Sequence, residues 1–361
     1  MSKNENNENN ENNENNENKG LTGLANLGNT CFINSCMQVL SHTYELNDFL
    51  DKDDGIYKNK LSAYHDKQYI IDSKLLVEWD KLRKLMWEEN RIISPGGFLK
   101  AIQYVAKKKD RDIFTGYAQN DLPEFLLFII DTFHNGMRRE VDMVIKGGVK
   151  NKTDKMAIKC FEMMKNMYSK EYSEFLDIFY GIHVSIIENK KKVLSVKPEP
   201  YFIIDIPINI DKPSCNILDC FDKYCSEETL EGDNGWINEE TNERETVTKK
   251  IKFWSLPKIM VLDLKRFTYD GKKIKRPVNL ELDDLDLSTY VSGYDKSSYK
   301  YELYGVCNHS GGTMGGHYTA NVKVKNGDWY LFNDTNVSKV NFDGLNNTSG
   351  YCLFYRKKIN N

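Results

Sequence analysis

Gly20-Leu-Thr-Gly-Leu-Ala-Asn-Leu-Gly-Asn-Thr-Cys31-Phe-Ile-Asn-Ser-Cys-Met-Gln-Val-Leu40 is the stretch whose reading decides the fold of this chain. Gly28-Asn29-Thr30 is turn chemistry, and an apolar segment follows at once. Phe32, Ile33, Cys36, Met37, Val39 and Leu40 crowd one broad face, which predicts an amphipathic helix opening at Cys31. A thiol is a useful nucleophile only as thiolate, and a helix amino terminus favours that state. An isolated cysteine is by default a buried structural thiol, which is the reading given to Cys36.

The second informative stretch lies almost the whole chain away: Tyr304-Gly-Val-Cys-Asn-His-Ser-Gly-Gly-Thr-Met-Gly-Gly-His317-Tyr-Thr-Ala320, then Trp329-Tyr-Leu-Phe-Asn333-Asp334. His317 is flanked by Gly315 and Gly316 and leads into a predicted strand, so it would be held rigidly with room around it. His42, His65, His134, His183 and His309 lack that flanking. Asn333 or Asp334 can accept the imidazole N–H and fix its tautomer; an Asn-Asp turn after a strand is the plain alternative. A cysteine, a histidine and an Asn or Asp are the parts of a thiol hydrolase.

Two further segments lie between. Gly116-Tyr-Ala-Gln119-Asn120-Asp121-Leu-Pro-Glu124-Phe-Leu carries a helix-start signature, with Asp121 and Glu124 spaced as a capping box. Leu262-Asp-Leu-Lys265-Arg266-Phe267 reads as a core strand.

These four segments resemble, in order, the Cys box, the Gln-Gln-Asp box, a core strand and the His box of the ubiquitin-specific protease family, papain-like deubiquitinases. The resemblance implies an α+β fold with helical thumb, mixed palm and β-rich fingers. It implies hydrolysis of isopeptide or linear bonds after the terminal glycine of ubiquitin. Cys31 would attack, His317 would act as base, and Asn26 with backbone N–H groups would hold the oxyanion. Asn333 takes the usual third position and Asp334 matches a neighbouring acid. Gln119, Asp121 and Glu124 would line the cleft for the substrate's Leu-Arg-Leu-Arg-Gly-Gly tail, acids for its arginines. Gly315 and Gly316 would narrow a tunnel for its glycines, under a loop running from His309 to Gly316. Asn120 stands where the family has a second Gln. No cofactor is implied, and the partners would be ubiquitin and ubiquitinated proteins, met by a monomer. A catalytically dead ubiquitin-binding scaffold, or a protease for another ubiquitin-like modifier, are the rival readings.

The family's zinc-binding Cys-x-x-Cys pairs are missing. Cys215, Cys220 and Cys225 recur every five residues without a fourth ligand, which reads as a helix of mixed exposure. No metal site is expected, and the region from His183 to Ile251 should form fingers held by strand pairing alone.

The 361 residues divide into an Asn/Glu repeat at 1–19, expected to be disordered, and a catalytic domain at 20–361. Net charge is −3 with mixed signs, so no basic field points to nucleic acid. No apolar run is long enough for a membrane span. The polar, acidic start is no secretory signal, and the eight cysteines lack a disulfide rhythm; a reducing compartment, cytoplasmic or nuclear, is expected. Helices are also predicted around Leu75, Leu76, Trp79, Leu82, Leu85 and Met86, after a Ser94 cap with Pro95 in the first turn, and at 155–168. Strands are predicted at 201–208, 258–267, 299–308, 317–325, 329–333 and 351–356, with a solvated loop or hairpin at 227–250. Helices first and strands later argue α+β.

Overall fold

The computed structural model describes residues 19–116, 118–212, 214–238, 242–294, 299–312 and 315–358. The expectation for the Asn/Glu tail therefore lies outside the described residues, save its last position. The helices, in chain order, are α1 (Cys31–Ser41), α2 (Tyr44–Asp51), α3 (Ile70–Glu88), α4 (Gly96–Lys108), α5 (Leu122–Met137), α6 (Lys152–Glu171), α7 (Glu174–Phe179) and α8 (Ile217–Cys225). The strands are β1 (Gly23–Leu24), β2 (Ile92–Ile93), β3 (Gly181–Glu188), β4 (Val193–Tyr201), β5 (Ile203–Pro207), β6 (Cys215–Asn216), β7 (Glu228–Leu230), β8 (Trp236–Ile237), β9 (Arg244–Glu245), β10 (Val247–Ser255), β11 (Ile259–Lys265), β12 (Val278–Asn279), β13 (Leu285–Asp286), β14 (Lys300–Gly312), β15 (Gly315–Lys323), β16 (Trp329–Asn333), β17 (Asn336–Val340) and β18 (Gly350–Lys357). Helices dominate the first half and strands the second, the α+β order read from the sequence.

Helix α1 starts at Cys31, as its turn chemistry predicts, but it is not amphipathic: every residue from Cys31 to Ser41 is buried. Its apolar side chains face the thumb and palm. Its polar ones are spent on the preceding segment and on the helix itself. Gln38 Nε2 donates to the Thr22 carbonyl at 2.7 Å, and Ser35 and Ser41 bond back to Phe32 and Gln38 carbonyls. A helix buried all round must find protein partners for its polar groups, and the Asn34 and Gln38 amide N–H groups find theirs in residues 22–25, stitched to its side.

The thumb is α1 to α5. Trp79 of α3 lies between Phe98 of α4 (centroids 5.8 Å) and Phe133 of α5 (6.4 Å), and Phe32 of α1 meets Phe125 of α5 edge-on at 5.2 Å. Leu85, predicted on the apolar face of α3, is instead 44% exposed. Helix α4 opens at Gly96 with Pro95 in the capping position, not with Ser94 as cap.

The palm is one mixed sheet in the order β17-β16-β15-β14-β18-β11-β5, with β11 and β5 parallel and the other pairs along it antiparallel. Central β11 shows the period of two: Ile259 and Val261 join the core under the thumb, while Met260, Leu262 and Leu264 join the core on the other side. Gly305 of β14 sits where a Cβ would come 2.4 Å from Val39, so only glycine lets α1 lie this close to the sheet.

The fingers are a separate sheet, β4-β3-β10-β7. The predicted hairpin region 227–250 supplies β7 and part of β10. Helix α6 covers one face, where Ala157 and Cys160 pack on Ile182, Val184, Ile186 and Trp254. Cys215 lies on short β6 before α8, whose cap is a reciprocal Asn216–Asp219 box. Its thiol and that of Cys220 are buried and Cys225 is half-exposed, the mixed exposure expected, but Cys215 stands outside the helix predicted to carry all three.

Candidate active site

The turn Gly28-Asn29-Thr30 delivers Cys31 to the first position of α1, and α1 lies against β15. That contact brings the two distant motifs together. The backbone N–H of Tyr318, the residue after His317, acts on the Cys31 thiol in favour of its thiolate, as do those of Phe32 and Cys31. Burial nevertheless dominates and pushes the Cys31 thiol above its usual range; the Tyr318 N–H opposes this and the Asp334 carboxylate adds to it. The expectation of a thiolate favoured by the helix terminus thus meets a stronger desolvation effect in the absence of substrate.

Imidazole orientation is direct. His317 Nε2 lies 2.7 Å from Asn333 Oδ1. An amide oxygen only accepts, so Nε2 carries the proton and Nδ1 is left as the basic nitrogen. Asn333 is the last residue of β16, which pairs with β15 as far as Ala320–Phe332, so the register fixes this contact.

Asp334 takes another direction. Its φ is +51°, the left-handed turn conformation that Asp tolerates. Its Oδ2 accepts from Asn26 Nδ2 at 3.0 Å and its Oδ1 from Asn34 Nδ2 at 2.8 Å. Asn26 Oδ1 in turn accepts from the N–H groups of Gly28 (3.0 Å) and Thr30 (3.2 Å), which shapes the turn before Cys31. The two neighbours that the sequence left as alternatives are therefore divided: Asn333 meets the imidazole, and Asp334 anchors Asn26. Asn34 was missed by the sequence reading. Its signal was an amide inside the most apolar stretch of the Cys31 segment.

Beside these residues a cavity of about 360 Å³ opens between the approach to α5 and the β14–β15 hairpin. Gln119, Asp121, His309, Gly315 and Gly316 line it, together with Tyr318 and Tyr351. Of the residues predicted to meet substrate, only Glu124 is set apart, exposed on the first turn of α5. Asp121 caps that helix through the Glu124 N–H at 3.2 Å and also accepts from the Tyr351 hydroxyl. Gln119 clamps the Gly316 peptide, accepting from its N–H at 2.7 Å and donating to its carbonyl. The stretch from His309 to Gly316 forms paired strand ends where a loop was expected, and residues 313 and 314 lie outside the described residues.

His309 is only 4% exposed. Burial, then the adjacent Lys273 ammonium, pulls its pKa down to about 4. Its neutral ring packs 4.7 Å from Tyr318, and a Cβ at Gly316 would fall 2.3 Å from its Nε2. It supports the hairpin from below. Asp263 of β11, also unforeseen, has a carboxyl pushed up to about 8 by burial and by the Asp121 and Asp205 carboxylates. Its Oδ1 is buried without a hydrogen-bond partner. Among the described residues no group of three or more His, Cys, Asp or Glu is placed to hold a metal ion, and no helix is long and apolar enough to cross a membrane.

A thiol amid backbone N–H donors, a tautomer-fixed imidazole on the adjoining strand and an amide beside the turn can together run nucleophilic acyl transfer. The family model for ubiquitin carboxyl-terminal hydrolase matches residues 22–355. The chain belongs to the ubiquitin carboxyl-terminal hydrolase family. Ubiquitin carboxyl-terminal hydrolase 2 of Bos taurus is 34% identical over 340 residues, covering 91% of this chain and 54% of the relative. Its namesake in Gallus gallus is 33% identical over 291 residues, covering 78% and 79%. The chain thus spans about half the length of the bovine relative. Among solved structures, a chain of the SAGA DUB module Ubp8/Sgf11/Sus1/Sgf73 bound to monoubiquitin superposes with a TM-score of 0.68 at 22% identity, covering 96% of this hydrolase-family chain and 71% of that one. This likeness confirms the papain-like α+β architecture.

Proposed function

We propose that this chain is a thiol-dependent deubiquitinase that cleaves after the terminal glycine of ubiquitin. The observation that carries the reading is the His317–Asn333 contact on β15, the strand that packs against the helix opened by Cys31. Residues 20–361 are assigned as the catalytic domain.

In the reaction, Cys31 Sγ attacks the carbonyl carbon of the terminal glycine while its proton passes to His317 Nδ1. The oxyanion is met by the Asn26 amide, which Asp334 holds in place, and by backbone N–H groups at the start of α1. The imidazolium then gives its proton to the leaving amine, which is a lysine side chain for an isopeptide bond or an α-amine for a linear one. Water activated by the same imidazole hydrolyses the thioester. The acids at Asp121 and Glu124 suit a basic tail, and the glycines of the hairpin suit its Gly-Gly end.

The test is release of a fluorophore from the carboxy terminus of ubiquitin, run beside ubiquitin and ubiquitin-like probes bearing terminal electrophiles. Turnover of the ubiquitin substrate, and labelling of Cys31 by the ubiquitin probe, are the expected results. Binding of ubiquitin without turnover or labelling would instead make this a scaffold.

A further inference from the structure

The edge of β15 is incompletely paired. Its partner β16 reaches only to Ala320–Phe332 before the chain turns at Asp334 into β17. From Gly315 to Thr319 the side of β15 away from β14 has no strand beside it among the described residues. In an antiparallel strand alternate residues direct both N–H and C=O to the same side. On this open side those residues are Gly316 and Tyr318. The Tyr318 N–H acts on the Cys31 thiol and favours its thiolate. Gly316 goes to Gln119, whose amide both accepts from the N–H and donates to the carbonyl. The side chain thus does what a neighbouring strand would do.

The place needs such a tether. Gly311, Gly312, Gly315 and Gly316 close the hairpin, and Gly311 (φ +122°) and Gly315 (φ +151°) occupy conformations that side chains rarely adopt. Glycine has the most backbone freedom to lose, so a glycine-only strand end with an open edge will not hold the next residue in place by itself. That next residue is His317. From below, the neutral His309 ring limits Gly316, since a Cβ there would fall 2.3 Å from its Nε2. From the open side, among the described residues, Gln119 holds it.

We propose that Gln119 is a positioning residue for His317, fixing the Gly316 peptide in the place of the strand that β16 does not supply. The inference rests on the deubiquitinase reading and changes the part given to Gln119: it acts through the enzyme's own backbone, not through a contact to the substrate tail.

The full chain with Gln119→Ala loses both hydrogen bonds; Gln119→Glu keeps an acceptor for the Gly316 N–H and loses the donor to its carbonyl. With a ubiquitin–fluorophore substrate, Gln119→Ala should lower kcat about 10- to 100-fold, the scale of a 1 Å misplacement of a catalytic group, with KM within about 3-fold. Gln119→Glu should fall between Gln119→Ala and the parent. The second readout uses no ubiquitin: the rate of Cys31 alkylation by iodoacetamide against pH, followed on the Cys31 peptide by mass spectrometry. His317→Ala defines the profile of a thiol without its base, and Gln119→Ala should move toward it. A changed KM at constant kcat would overturn the proposal and return Gln119 to substrate binding or gating. Parent-like kcat and alkylation in Gln119→Ala would overturn it too, as would a Gln119→Glu profile identical to the parent should Gln119→Ala fail to fold. If the parent does not turn over ubiquitin at all, the deubiquitinase reading falls by itself, and the alkylation profiles still decide whether Gln119 couples to His317.

Discussion

The seam between thumb and palm and the fingers sheet are held by different means. Across the seam, polar groups meet partners some 300 residues away. Asn34 and Asn26 bond Asp334, and Arg356 Nε donates to Glu45 Oε1 at 2.7 Å. In the fingers polar contacts at the surface are local, such as Lys197–Glu199 along β4. Exposed pairs of that kind contribute roughly 0–1 kcal/mol each, so the apolar face under α6 holds the fingers together. Damage to the seam should therefore appear as lost chemistry, and damage to the fingers as lost stability or weaker binding.

The largest expected effect tests that division inside one helix. Cys31→Ala should abolish hydrolysis while thermal melting stays near the parent's. Cys36→Ala, one turn on and fully buried, should keep turnover and lower the melting temperature. Turnover and melting curves of both variants decide it. If Cys31→Ala still releases ubiquitin, the nucleophile has been misassigned.

Next in size is the split between neighbours. Asn333→Ala removes the acceptor that fixes the His317 tautomer and should lower kcat about 100-fold or more at little cost in stability. Asp334→Ala leaves the amides of Asn26 and buried Asn34 without their shared acceptor, which should cost about 1–3 kcal/mol as well as activity. Equal melting temperatures for the two variants would contradict these separate roles.

That split also marks where the sequence stopped being legible. Element types were readable because period and turn chemistry are local: β16 falls on 329–333 as predicted, and the strand predicted at 351–356 runs from Gly350 to Lys357. The residue types for acyl transfer were readable because the motifs carry them. What was not readable depends on the path of the chain after the motif. Asn333 and Asp334 differ by one residue, and only the tight turn into β17 aims one at the imidazole and the other at Asn26. The burial of α1 on every side was hidden because Asn34, Gln38 and Ser41 look like a solvent face until their partners are known. Asp263 was hidden inside a strand pattern, where a carboxylate reads as an edge residue and not as one buried beside Asp121 and Asp205.

On the fingers side, Ile182→Ala removes a side chain packed under α6 and should destabilise by about 2–5 kcal/mol. Because the seam is untouched, kcat should hold for the folded fraction while KM rises. Chelators should leave the melting temperature of the parent unchanged. A loss of the fingers on chelation would mean that metal, not packing, holds this sheet.

A smaller effect is expected from Asp263, and its sign is fixed by linkage. Its folded pKa is about 8, against an unfolded value near the ordinary 3.9. Between those values the folded protein binds the extra proton, so stability falls as pH rises through the window. Asp263→Asn removes that dependence. Its melting temperature should exceed the parent's by a few degrees at pH 8.5 and by little near pH 4.5. The same difference at both pH values would show that the carboxyl is not perturbed.

The smallest effect concerns the rim of the seam. Asp121 is already committed, one oxygen to the Glu124 N–H and the other to the Tyr351 hydroxyl. An arginine of the substrate tail could reach it only by competing with those bonds. Glu124 is exposed on the same helical turn, so its carboxylate can meet an arginine without breaking the cap. Being exposed, the pair should contribute no more than about 1 kcal/mol and should weaken with salt. Glu124→Gln should therefore raise KM for ubiquitin by about 3- to 5-fold, with kcat nearly unchanged and the rise shrinking at high ionic strength. Replacing the tail arginines of ubiquitin should cost the parent more than the variant. In that double-mutant cycle, losses that simply add would mean that Glu124 does not read the tail. Asp121, which lines the cleft, would then be the acid that meets it, at the expense of the helix cap.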